Sequence, residues 1–113
     1  MKPFALIAVG AALGALLRWR LALIMTFPWG TTCANLLGCF ILGILVVRVT
    51  PQQAMWPLIA IGFCGSLTTF STFVFDLWRQ GPGPAGLNYL ALNLLGGFVL
   101  FIAAVNLFRP AGS

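Results

Sequence analysis

Residues 62–73 read Gly62-Phe63-Cys64-Gly65-Ser66-Leu67-Thr68-Thr69-Phe70-Ser71-Thr72-Phe73, which puts two glycines and five hydroxyl side chains into twelve positions of an otherwise apolar run. Glycine costs about 1 kcal/mol per residue in a helix, and Ser and Thr compete for the backbone hydrogen bonds that hold one together. Such a stretch predicts a helix that breaks near the middle of its length. In hydrocarbon a broken helix survives only where its freed carbonyls and N–H groups are buried or bound. Freed carbonyls suit a small cation, and freed N–H groups and hydroxyls suit a small anion. The run therefore carries the main functional signal of the chain.

Outward from this stretch, the surrounding sequence is that of a membrane protein. It has 113 residues, of which 61% are hydrophobic and 6% charged. A soluble domain carries about 25% charged residues, so this chain cannot cover a surface facing water. Four apolar runs are each long enough to cross a hydrocarbon core of about 30 Å: approximately residues 4–25, 31–49, 55–78 and 87–108. The fold expected is an all-α integral membrane domain of four transmembrane helices, a single domain over 1–113, with the break in the third helix. Lys2 before an apolar run also fits a secretory leader, but the run is long for one and three similar runs follow.

The inventory excludes most catalysis. There is no histidine and only one acid, Asp76, so no triad, carboxylate pair or His/Asp metal site can be assembled. Cys33, Cys39 and Cys64 have neither an even count nor metal-site spacing, and read as small side chains in apolar runs. The chain is expected not to be an enzyme. The net charge of +5 comes from scattered single cations, which fits anchoring at the membrane surface better than binding nucleic acid.

The placement of those cations is informative. With four spans, Lys2, Arg48 and Arg109 fall on one side of the membrane and Arg18, Arg20 and Arg79 on the other. Three against three gives the positive-inside bias nothing to act on. The reading is a chain that inserts both ways up and pairs as an antiparallel, dual-topology homodimer. A miscounted Arg18, or effects during insertion, would hide a real preference. Four helices are also few to enclose a pathway, which independently favours an oligomer.

Polar groups inside the spans supply the remaining candidates. Gly10 and Gly14 form a small-xxx-small pair suited to close helix packing. Thr31, Asn35 and Gly38 share one face of the second helix. An amide such as Asn35 either joins two helices or donates hydrogen bonds to something passing through. Phe70 and Phe73 are neighbours at i, i+3, and their ring edges carry partial positive charge that an anion can meet. Tyr89, Asn93, Gly96 and Gly97 share a face of the fourth span. Asp76 follows the break rather than sitting at mid-membrane, which argues against proton coupling. The small multidrug exporters resemble the chain in size, but they need a glutamate in the first span, and that span has no acid.

The motif over 62–73 closely resembles the signature of the Fluc/CrcB fluoride channels. Gly14-Ala-Leu-Leu-Arg18 and Gly30-Thr-Thr-Cys-Ala-Asn35-Leu-Leu-Gly38 agree with it in order and spacing, so the resemblance covers essentially the whole chain. It implies a fluoride-selective passive channel in the bacterial cytoplasmic (inner) membrane. It also implies two pores in an antiparallel homodimer, with a central structural sodium ion. On the residues that match, sodium would be held by the backbone carbonyls of Gly65 and Thr68. The pore would be lined by Asn35, Phe70, Phe73, Ser71, Thr72, Thr31, Tyr89 and Asn93, with Arg18 near the vestibule. Three departures stand out: Asp76 where glutamate is usual, Asn93 where serine is often found, and Trp19 where tyrosine is common. A small membrane assembly protein and an ion-coupled transporter are the alternative readings.

Overall fold

The computed structural model describes residues 2–112 and is helical throughout its long elements. Helix α1 spans Lys2–Ile24 and α2 spans Trp29–Arg48. Helix α3 comprises Trp56–Cys64, whose turns are wide and π-helical, and continues as Gly65–Leu67. Helix α4 is Phe70–Gln80, and α5 runs over Pro84–Phe108 with a π-helical stretch at Leu92–Gly96. Taken together, four helical segments are long and apolar enough to cross a membrane, α3 and α4 forming one of them.

The fourth helix starts three residues earlier than the sequence suggests. Pro84 lies in its first turn, where a missing N–H costs nothing and the fixed φ favours the helix. Gly81 and Gly83 take positive φ values of 74° and 142°, which confines the turn to the residues before Pro84. The second helix likewise begins at Trp29, directly after Pro28.

Packing follows from small residues. Helix α1 packs most extensively on α3, and α2 on the second half of α5. A Cβ on Gly10 would collide with the Leu58 carbonyl oxygen, and one on Gly14 with that of Phe63. On the facing surface, a Cβ on Gly62 would come within 2.6 Å of the Ile7 carbonyl oxygen. The two backbones thus touch along a glycine seam, as expected where association in lipid depends on close van der Waals packing. Of the two glycines in the 62–73 run, Gly62 is spent on packing and Gly65 stays open, and the threonines make the break.

The fold is a slab of 44 × 34 × 20 Å. Much of its surface is large apolar side chains, among them Leu13, Leu16, Leu95, Phe98 and Val99. Polar side chains turn inward instead: Thr31, Thr32, Asp76 and Asn93 are all buried.

Candidate functional site

The site is built on the interruption between α3 and α4. Thr68 has φ −81° and ψ 151°, and Thr69 has φ −150° and ψ 125°, so two β-branched residues take the extended conformation they favour. Thr69 then caps α4, its side chain accepting from the Thr72 N–H at 3.2 Å.

Hydrogen bonds at the break leave a specific set of carbonyls free of helical partners. In an unbroken helix the Thr69 N–H would bond the Gly65 carbonyl; here it donates to Asn35 Oδ1 at 2.7 Å. The Thr72 N–H, which would bond the Thr68 carbonyl, goes to the Thr69 hydroxyl. The Ser66 carbonyl accepts from Arg18 Nε at 3.0 Å, so this guanidinium is engaged on the break itself. Gly65 is exposed, and nothing lies within 4 Å of where its Cβ would be. Carbonyls released this way are hard oxygen donors of the kind a small cation takes. Among the described residues no cluster of His, Cys, Asp or Glu could hold a metal ion. The carbonyls of Gly65 and Thr68 are the ones that these diverted bonds leave without helical partners.

One stripe of α2 holds the break in place. Thr31, Asn35 and Gly38 all face the α3–α4 segment. Thr31 Oγ1 donates to Asp76 Oδ2 at 2.7 Å, and Asn35 binds both the N–H and the carbonyl of Thr69. Gly38 admits the Thr68 methyl, which a Cβ there would strike.

Asn35 is fully committed. Its Nδ2 donates to Asn93 Oδ1 at 2.8 Å and to the Thr69 carbonyl at 3.3 Å, while its Oδ1 accepts from Thr69. Asn93 in turn donates through Nδ2 to Thr32 Oγ1 at 3.0 Å and to the Tyr89 carbonyl at 2.9 Å. The longer side chain at position 93 therefore ties α5 to α2 and, through Asn35, to the break. The amide carries out the helix-joining role directly.

Asp76 is the largest addition to the sequence reading, which leaves it out of the site. It is 5% exposed, and its Oδ2 accepts from both Thr31 Oγ1 and Tyr89 Oη, the latter at 3.2 Å. Its being the one acid, within a membrane span, was the available signal. Thr32 was legible only as a neighbour of Thr31; its link to Asn93 spans 61 positions.

The aromatic residues continue the polar chain. Phe73 is buried and stacks on Tyr89, ring centroids 5.3 Å apart, and Phe70 lies 5.8 Å from Phe73 in a tilted pair. Phe70 itself is 72% exposed. The Ser71 hydroxyl lies 3.3 Å from that of Thr69.

Two cavities of about 280 Å³ each adjoin these groups. The first is lined by Asn35, Thr68, Thr69, Phe70, Phe73 and Asn93, among others. The second includes Thr31, Thr72, Asp76 and Arg79. Along α2 their linings are residues 35–42 and 30–31, which places them about one helical turn apart. The Tyr89–Asp76 hydrogen bond links the ring stacked on Phe73, in the first wall, to the acid in the second. Taken as chemistry, the series consists of amides, hydroxyls, freed carbonyls and ring edges, with one acid held by two hydroxyl donors. It can replace a hydration shell piecemeal, but it presents no activated nucleophile.

The chain matches the family described as "CrcB-like protein, Camphor Resistance (CrcB)" over residues 5–105. It is 40% identical to the fluoride-specific ion channel FluC of Chromobacterium violaceum, over 92% of each chain. The corresponding protein of Pseudomonas syringae pv. maculicola is 35% identical over 100% of this chain and 98% of its own. That of Salmonella arizonae is 43% identical over 93% of this chain and 92% of its own.

Proposed function

This chain belongs to the CrcB family, and from that premise we propose that it is a fluoride-specific ion channel that lets the ion pass down its gradient. The observation carrying the reading is the series of neutral hydrogen-bonding groups from Thr69 through Asn35 and Asn93 to Tyr89, which the Asp76 carboxylate joins to Thr31, flanked by two cavities.

Fluoride is small and strongly hydrated, so leaving water requires replacement donors and ring edges. A cation fixed in the narrow part would hold it too tightly, whereas neutral groups at successive sites bind weakly enough to release it. Phe70 and Phe73 line the first cavity and offer ring edges. Asn35 can recruit a hydrogen for an arriving ion by giving up its 3.3 Å bond to the Thr69 carbonyl, the weaker of its two donations. Thr72 lines the second cavity, and Ser71 lies beside Thr69 at the break.

The assembly we infer is an antiparallel homodimer with two pores. Supporting it are the even split of cations, the thinness of the slab, the exposure of Phe70 and the open backbone at Gly65. The carbonyls of Gly65 and Thr68 would hold a structural sodium ion, whose charge would fix the broken segments in place. The location proposed is the bacterial cytoplasmic membrane.

The deciding experiment is fluoride efflux from proteoliposomes, with a potassium ionophore clamping the voltage. Release of fluoride without chloride is expected. A folded, reconstituted protein that releases no fluoride would refute the function, and fluoride accumulation driven by a proton gradient would replace the channel with a coupled transporter.

A further inference from the structure

The second cavity is lined by two charged groups, the Asp76 carboxylate, which joins Tyr89 to Thr31, and the Arg79 guanidinium, which takes no part in that series. Both lie on α4, three residues apart and therefore on one face. Asp76 is turned into the bundle, where two hydroxyls donate to it. Arg79 is held differently. Its guanidinium carbon lies 4.4 Å from the centroid of the Phe27 ring and 5.5 Å from that of Phe75. Ring faces bind a guanidinium through charge without using its N–H groups as a carboxylate would. The cation is thus fixed in position with hydrogen-bond donors still available.

The cavity is lined by the one acid of the chain, and a negative wall repels an anion. Arg79 is the cation in the same lining, and it offsets that charge. Arg18, by contrast, has its Nε on the Ser66 carbonyl and does not line this cavity.

We propose that this cavity is a capture site for a small hydrated anion, with the Arg79 guanidinium as its binding group. The inference rests on the fluoride-channel reading for the identity of the ion. Arg79 is exposed, so its field reaches solvent and acts on arriving ions, and it is screened by salt. Its contribution belongs to entry, at the concentration dependence of conduction, and not to the passage itself.

The test compares wild type, Arg79→Gln, Arg79→Lys and the double variant Arg79→Gln/Asp76→Asn, reading initial fluoride efflux against fluoride concentration at low and high impermeant salt. For Arg79→Gln, the half-saturating concentration at low salt should rise roughly fivefold, the effect of one nearby charge in high dielectric, with the maximal rate kept. High salt should close the gap. Arg79→Lys should retain most of the capture, and removing the Asp76 charge should recover part of what Arg79→Gln loses. Wild-type concentration dependence in Arg79→Gln at low salt overturns the proposal. So does a loss that persists at saturating fluoride and high salt, because that reports packing against Phe27. Side-chain ¹⁵N resonances of the arginines, titrated with sodium fluoride, separate this from the function: Arg79 should shift and Arg18 should not. An unmoved Arg79 resonance overturns the capture site even where efflux is intact. Absent efflux with a shifted Arg79 overturns the channel reading and leaves the anion site standing.

Discussion

Replacing Asn93 with leucine removes the amide while keeping nearly the same volume, and the structure indicates what is lost. Three hydrogen bonds end on this side chain, to Asn35, Thr32 and the Tyr89 carbonyl. The bond to Tyr89 stays within α5, so two join helices. Interhelical side-chain bonds in membranes average about 0.6 kcal/mol, which puts the direct loss near 1.2 kcal/mol. The groups left behind differ in cost. The Thr32 hydroxyl can turn to a carbonyl of its own helix, so its loss is small. Asn35 loses its better acceptor at 2.8 Å and keeps only the 3.3 Å contact to Thr69; a buried donor without a partner costs about 1–3 kcal/mol, and half-buried Asn35 beside the first cavity falls at the low end of that range. Asn35 therefore dominates, and the expected destabilisation is about 2 kcal/mol, a factor of about 30 in the folding equilibrium. Fluoride flux should fall at least tenfold, because an Asn35 amide free to rotate no longer fixes the Thr69 N–H and carbonyl at the break. The assays are unfolding by denaturing detergent in mixed micelles and efflux from liposomes at equal amounts of folded protein. Stability within about 0.5 kcal/mol of wild type together with unchanged flux would refute the chain of reasoning from Asn93 through Asn35 to the break.

Other expectations follow from the same geometry. Phe70→Ile and Phe73→Ile should both lower fluoride efflux, but Phe73→Ile should also lower the unfolding midpoint, since it removes a buried ring stacked on Tyr89 whereas Phe70 is exposed; normal efflux in both variants would eliminate the ring-edge contribution. Gly10→Ala should destabilise the fold by about 1–3 kcal/mol or prevent folding, because the added methyl meets the backbone of α3 with no side chain able to yield; a wild-type unfolding curve would contradict the glycine seam. Gln52→Cys, in the exposed loop after α2, should react with impermeant thiol reagents from both faces of the membrane in a dual-topology population. Labelling from one face only would reject that topology.

Much of the fold was legible because its causes are local. The four spans follow from runs of apolar residues, and a close helix contact from Gly10 and Gly14, although not that its partner is Gly62 of α3. The interruption in the third span was also legible, although its position was not. Glycines suggest weakness, but Gly62 is held inside a tight interface, and the two threonines take the extended backbone. Among site residues, Thr31, Asn35 and Gly38 announced a common face by their spacing, and that face meets the break. The role of the Asn35 amide was only half readable, since spacing cannot show that both of its hydrogens are already taken.

By itself the sequence determined the solvent this chain lives in, the number of its crossings, the scarcity of catalytic groups and the family motif. All of these depend on composition or on residues a few positions apart. Only the tertiary structure decided which partner each buried polar group has. Asp76 meets Thr31 across 45 positions, Asn35 meets Asn93 across 58, and the Arg79 guanidinium rests on the ring of Phe27 in the turn between α1 and α2. In a dry interior every donor must find an acceptor, and the choice among acceptors depends on how the helices pack. That packing assigned Asp76 and Asn93 their places, and it left the Arg79 N–H groups open to the cavity.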